Sequence, residues 1–271
     1  MIAVLFSMQW NLEHMALTHY YIKKAMSPFW AFAIHDGQHI APEVKPFQKL
    51  TDEERLHEED PFTAAFAEIP INQFIVGTSR FQLDLNRDLD NAIYLRPDQA
   101  WGLEVWYDDL PASLIHQLQN EYKRIYAEID AAIQETIDRN GFFVAYDIHS
   151  YNAKREGPDA KIDDQKNPEI NLGTASINLK WQPLIQDLMA HFRSEELYGK
   201  PIDIRENIKF KGGHLSRHLN QKFGEDGCVL AFEFRKDFMD EWKGIPNLDD
   251  VLSGKQLLMN SLTTLKTYFR L

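Results

Sequence analysis

SLIHQLQNEYKRIYAEIDAAIQETIDRNGFFVAYDIHS, residues 113–150, carries an amphipathic helix directly into a strand. Leu114, Leu118, Tyr122, Ile125, Ile129, Ile133 and Ile137 recur at three- or four-residue intervals, which puts them on one helical face through about Arg139. Asn140-Gly141 supplies a stop, and the apolar run of residues 142–150 follows at once. That passage from helix to strand predicts alternating α/β organisation. Three more apolar runs read as strands: FWAFAIH (29–35), NQFIVGTSR (72–80) and CVLAFEFR (228–235), several of them buried on both faces. Further helices are expected over residues 62–68, 181–198 and 252–268.

The 271 residues are 44% hydrophobic and 26% charged, which excludes a disordered tail and allows one substantial core. With 41 acidic against 29 basic residues the formal charge is −12, so general electrostatic binding of nucleic acid is disfavoured. A small anion is not excluded, because a few convergent arginines create a local positive site. The single cysteine, Cys228, lies in an apolar run and reads as a buried free thiol, as expected in the cytoplasm. The N-terminal MIAVLFSMQWNLEH lacks a basic leader and a cleavage pattern and is not read as a signal peptide. No apolar run approaches the roughly 20 residues that span a bilayer. Gly157-Pro158 and Asn167-Pro168 mark residues 151–178 as a long loop, and Pro201 with Gly212-Gly213 marks residues 200–214 as another. One domain over residues 1–271 with these two loops is expected, the alternative being a small N-terminal subdomain ending near Asp109.

Several strands end in ionisable clusters, where the chemistry of open α/β sheets gathers. His35 and His149 each follow a hydrophobic strand with an acidic neighbour, Asp36 or Asp147, able to orient the second ring nitrogen. Two such histidines suggest a metal site, and a hydrolytic zinc needs a third protein ligand and an open position. The acidic candidates are Glu58, Glu59 and Asp60 in LHEEDPF, although acidic helix starts are also common. Glu233, inside VLAFEF, must face water, a cation or a metal-held group to stay ionised, and suits a general base; an edge-strand glutamate is the competing account. In SRFQLDLNRD, Arg80 and Arg87 can bind carboxylates while Asp84 and Asp88 hold guanidinium groups, or all four can form structural ion pairs. Trp101, Trp106 and Tyr107 could line a pocket or simply pack. No GxSxG elbow, phosphate loop or dinucleotide fingerprint is present.

Taken together, AIHDGQHI, EED-FT, SRFQLDLNRD, DIHSY, FKGGHLSR and AFEFRKD resemble the N-formylglutamate amidohydrolase family, in order from about Ile34 to Asp237. The resemblance implies an α/β fold with a mixed, largely parallel central sheet flanked by helices, similar to zinc carboxypeptidases and aspartoacylases. It also implies hydrolysis of a C–N bond in a small anionic N-acyl amino acid such as N-formyl-L-glutamate, with Zn2+ or another first-row divalent ion as cofactor. The implied zinc set is His35, Asp60 and His149, with Asp147 beneath His149. Glu59 and Gln38 are alternatives for the second ligand, Gln38 because it falls where carboxypeptidases carry a glutamate. Glu233 matches the family's late-strand base. Arg80, Asn86 and Arg87 match its substrate-carboxylate segment, with His214 and Arg217 as further substrate candidates. The first motif departs from the usual proline-histidine-serine/alanine-glycine by reading Ile34-His35-Asp36-Gly37.

Overall fold

The computed structural model describes residues 16–271, so the N-terminal apolar run lies outside the described residues. Seven strands form the main sheet: β1 (Tyr20–Lys23), β2 (Phe29–Ala33), β3 (Asn72–Val76), β4 (Phe143–Tyr151), β5 (Ile170–Gly173), β6 (Ile204–Glu206) and β7 (Gly227–Arg235). Their spatial order is β1-β3-β2-β4-β7-β5-β6. The inner four are mutually parallel, while β1 and the β5/β6 pair run antiparallel to their inner neighbours. Every residue of β2, β3, β4 and β7 is buried, as strands covered on both faces require.

Among the described residues, six α-helices accompany the sheet: α1 (Asp52–Glu58), α2 (Thr63–Ala67), α3 (Ala112–Asn140), α4 (Gln182–Ser194), α5 (His214–Phe223) and α6 (Leu248–Phe269). Strand alternation sorts the core into two layers. Val144, Tyr146 and Ile148 of β4 and Leu230, Phe232 and Phe234 of β7 pack with α2, α4 and α6 on one side. Phe143, Ala145 and Val229 pack with α3 and α5 on the other. The same parity puts Asp147, His149 and Glu233 on the α3/α5 side, toward the carboxyl ends of their strands.

The helix of the opening stretch runs as read, stopped by Gly141 in the left-handed region at φ 79°. It also fixes the segment at residues 84–87, since Tyr126 and Tyr122 donate to the carbonyls of Leu85 and Arg87 at 2.5 and 2.7 Å. The predicted loops are less irregular than expected, because residues 151–178 contain β5 and residues 200–214 contain β6. At four and three residues, these strands are too short for periodicity to separate them from turns. Helix α5 begins at His214, directly after the Gly212-Gly213 pair. No helix among the described residues is long and apolar enough to cross a membrane.

Candidate metal centre and active-site cleft

His35 sits two residues beyond β2, where Gly37 crosses Gly77 so closely that a Cβ would lie 2.1 Å from the Gly77 carbonyl carbon. Asp60 occupies the turn between α1 and α2. Its N–H donates to the His35 carbonyl at 3.0 Å, and its own carbonyl accepts from the Thr63 hydroxyl at 2.7 Å. Phe62 completes that turn in the left-handed region at φ 71°, a conformation costly for an aromatic residue and often found where a functional side chain is being presented. His149 comes from β4 and is paired in register with Glu233 of β7, which is paired in turn with Asn171 of β5.

One potential ligand atom each from His35, Asp60 and His149 lie within 4.8 Å of one another, and all three residues are buried. His35 Nε2 lies 2.7 Å from Asp84 Oδ1, and His149 Nε2 lies 3.0 Å from Asp147 Oδ1. Carboxylates only accept, so both Nε2 atoms carry hydrogen and each ring turns Nδ1 toward Asp60. Asp60 Oδ2 lies 2.9 Å from His149 Nδ1 and 3.4 Å from His35 Nδ1. The buried Nδ1 of His35 has no hydrogen-bond partner. A positive charge is needed between these groups: a proton on His149 Nδ1 supplies it toward Asp60, while the unpartnered His35 Nδ1 still faces the carboxylate, and two imidazoles with one carboxylate are a donor set that fits a divalent metal in the proton's place. Burial alone would lower the His149 pKa and raise that of Asp60. The neighbouring opposite charges and hydrogen bonds overcome this, holding His149 well above and Asp60 below their ordinary ranges.

Asp84, rather than Asp36, orients His35. It is fully buried and also accepts from Arg80 Nη2 at 2.9 Å, from the Asn86 N–H at 2.7 Å and from the Tyr94 hydroxyl. Asp36 accepts from the Ala64 N–H at 3.0 Å, near the start of α2. The alternative second ligands fall elsewhere. Glu58 pairs with both Nη atoms of Arg155 at 3.0 and 2.8 Å, Glu59 accepts from the Ser79 hydroxyl, and Gln38 is exposed. Asp88 accepts from the Asn91 N–H at 3.1 Å and holds no guanidinium.

The cluster opens into a cleft of about 420 Å³. Arg80, Arg87, Arg155, Lys209, Lys211, Arg217 and Lys236 line it, against the carboxylates of Glu58, Asp60 and Glu233. A chain of charge −12 thus concentrates positive charge where a small ligand would enter. Glu233 is pushed up to about 8 by burial, opposed by His149 and reinforced by Asp60 and Asp147. Asn86 lines the cleft while bracing its wall, accepting from the Leu215 N–H at 3.1 Å and packing where a Cβ on Gly213 would stand. His214 is not among the lining residues: its N–H donates to the Asn86 carbonyl at 3.3 Å and its ring lies against Tyr126. Trp101 does line the cleft, its ring under Arg80 and Arg155 at 4.9 and 5.8 Å, whereas Trp106 donates to the Tyr94 carbonyl. Arg155, Lys209 and Lys236 were not anticipated, since isolated cations in polar loops carry no periodic or motif signal.

Carboxyl-end histidines, a carboxylate between them and a cationic cleft, on a mixed α/β sheet flanked by helices, define a metal-dependent hydrolase. A model of the family described as N-formylglutamate amidohydrolase matches residues 27–239, and the chain belongs to that family. Among solved structures, the N-formylglutamate amidohydrolase of Ralstonia eutropha JMP134 is similar with a TM-score of 0.73 at 16% identity, over 94% of this chain and 99% of that one. A gene product of Agrobacterium tumefaciens is similar with a TM-score of 0.63 at 14% identity, over 91% and 96%. No curated protein matches the sequence. The resemblance in the motifs and the expected fold class are both borne out.

Proposed function

We propose that the chain hydrolyses the amide bond of a small N-acylated acidic amino acid, with N-formyl-L-glutamate the reference substrate, formate and glutamate the products and zinc the native metal. The observation that carries this reading is the buried His35, Asp60 and His149 cluster beside Glu233, opening into a cleft rich in arginine and lysine. Zinc suits two nitrogens and one oxygen with a position left open. When bound, such an ion polarises a carbonyl oxygen and lowers the pKa of water from 15.7 toward about 7.

Glu233 is the general base: burial favours its protonated form, and a cation held by His35, Asp60 and His149 would favour the carboxylate, which takes the proton of the attacking water and delivers it to the leaving nitrogen as the C–N bond breaks. Arg87 is the cation for the substrate carboxylate, because its guanidinium is half-exposed and its contacts are weak, 3.4 Å to the Gln99 carbonyl and 3.9 Å to Asp84. Arg217 is half-free in the same way, donating to the Gly212 carbonyl at 2.8 Å. Arg80 and Asn86, both already engaged by protein groups, position the segment that carries Arg87. The whole chain acts as one catalytic unit in the cytoplasm, a setting consistent with Cys228 being buried and unpaired.

Metal analysis combined with hydrolysis assays on formylated, acetylated and peptidyl amino acids tests the reading. Stoichiometric zinc with preference for formylated glutamate is the expected result. A folded protein that takes up no metal, or one that cleaves none of the three substrate types, refutes it.

A further inference from the structure

One buried cation of the cleft has no salt-bridge partner among the described residues. Lys236 follows β7, three residues beyond Glu233; it is 3% exposed and shares the cleft wall with His35, Asp60, His149 and Glu233. Its ammonium donates to the carbonyls of His57 and Glu59 at 2.7 and 2.8 Å. Both acceptors are neutral, and no carboxylate of the described residues forms a salt bridge with it. An ammonium has three N–H bonds and accepts none, so two carbonyls leave one donor free, and the carboxylates of Asp60, Glu58 and Glu241 act on the charge only through space. The buried or half-buried arginines nearby differ, Arg80 meeting Asp84 and Arg155 meeting Glu58. Burying an unpaired charge is costly, which leaves a strong drive to take up an anion arriving in the cleft.

We infer that Lys236 receives a carboxylate of the ligand, its third N–H donating to a carboxylate oxygen beside the metal cluster. This rests on the hydrolase reading only in taking the substrate and product to carry carboxylates. Lys236 also ties residues 57–59 to the end of β7, so the test must separate binding from bracing.

Formate and glutarate are titrated calorimetrically, at fixed ionic strength, into zinc-loaded wild-type protein and the variants Lys236→Met and Lys236→Arg, with metal content measured on each. Lys236→Met is expected to keep its metal and weaken both anions at least tenfold, and Lys236→Arg to recover most of that loss. Affinities within twofold of wild type in a metal-replete Lys236→Met protein overturn the inference. So does a Lys236→Arg protein that regains metal without regaining anion binding. Should the methionine variant not fold, a wild-type crystal soaked in glutarate decides: a carboxylate oxygen within hydrogen-bond distance of Lys236 Nζ supports the assignment, and a bound glutarate away from it refutes it. Because the readout is equilibrium binding, a protein that proved inactive on formylated substrates would still give a clear answer about Lys236.

Discussion

Asp84→Asn removes one charge and almost no volume from the most heavily used carboxylate of the site. In the wild type that carboxylate is fully buried, fixes His35 from 2.7 Å and receives Arg80 at 2.9 Å, while the Arg80 side chain is only 12% exposed. Burial alone would raise the Asp84 pKa, yet Arg80 and His35 hold it well below the ordinary carboxylate range, so the charge is present at neutral pH. The amide leaves Arg80 buried without its anion, and breaking a buried pair from one side costs about 3–5 kcal/mol. Against a typical total of about 5–15 kcal/mol, that is a large loss. Melting should fall by about 6–20 °C at roughly 2–4 °C per kcal/mol. His35 loses its orienting acceptor as well, which should weaken metal binding by about 10- to 100-fold. Urea unfolding of the metal-free protein and metal competition titration read the two effects separately, and adding Arg80→Met should recover part of the stability by removing the stranded cation. Stability within about 1 kcal/mol of wild type, with metal affinity within threefold, would refute the account of Asp84 as the shared anchor of metal ligand and arginine.

His149→Ala should lose bound metal whereas His218→Ala, whose ring meets Asp130 on the surface of α3 at 2.8 Å, should keep it; elemental analysis decides. Glu233→Gln should retain metal and lose at least about 100-fold in turnover, and near-normal rates in a metal-replete sample would remove Glu233 from the mechanism. Gly37→Ala forces a methyl into the Gly77 backbone, which cannot rotate away, and should cost at least about 1–3 kcal/mol in thermal or urea unfolding. Asp130 is raised by burial but lowered more by His218 and Lys222, so its folded pKa lies below its unfolded one and its contribution is present above about pH 4. Asp130→Asn should therefore destabilise most at neutral pH, with the difference from wild type fading as pH falls below about 4; a pH-independent difference contradicts this.

The central strands and the long helix were readable because each repeats a pattern over five or more residues: the heptad-like face of α3 and the unbroken apolar runs of β2, β3, β4 and β7. His35, His149 and Glu233 stood out for the same reason, as ionisable groups interrupting or ending those runs. Asp60 could be chosen over Glu59 only with the family pattern, because the three adjacent carboxylates of residues 58–60 differ in direction, not in type, and direction is set by the turn through Phe62. The pairing of Asp84 with His35 spans 49 residues, two α-helices and a strand, a separation that no local pattern encodes. The short outer strands β1, β5 and β6 were missed because four residues or fewer give no period, and α5 because its start is hidden behind two glycines.

The register that sets His149 beside Glu233 divides the molecule into parts with unequal freedom to change. A one-residue insertion in β4 or β7 would carry these side chains to the opposite face, against the α4/α6 layer, and no compensating substitution nearby could restore them. Arg155, Lys209, Lys211 and Arg217 sit outside the strands, on loops or, for Arg217, near the start of a helix, where additions and exchanges disturb no ladder. The rim of the cleft can thus be rewritten by exchange of the segments around residues 153–166 and 207–213, while His149 and Glu233 on the sheet stay under the same constraint as the fold itself.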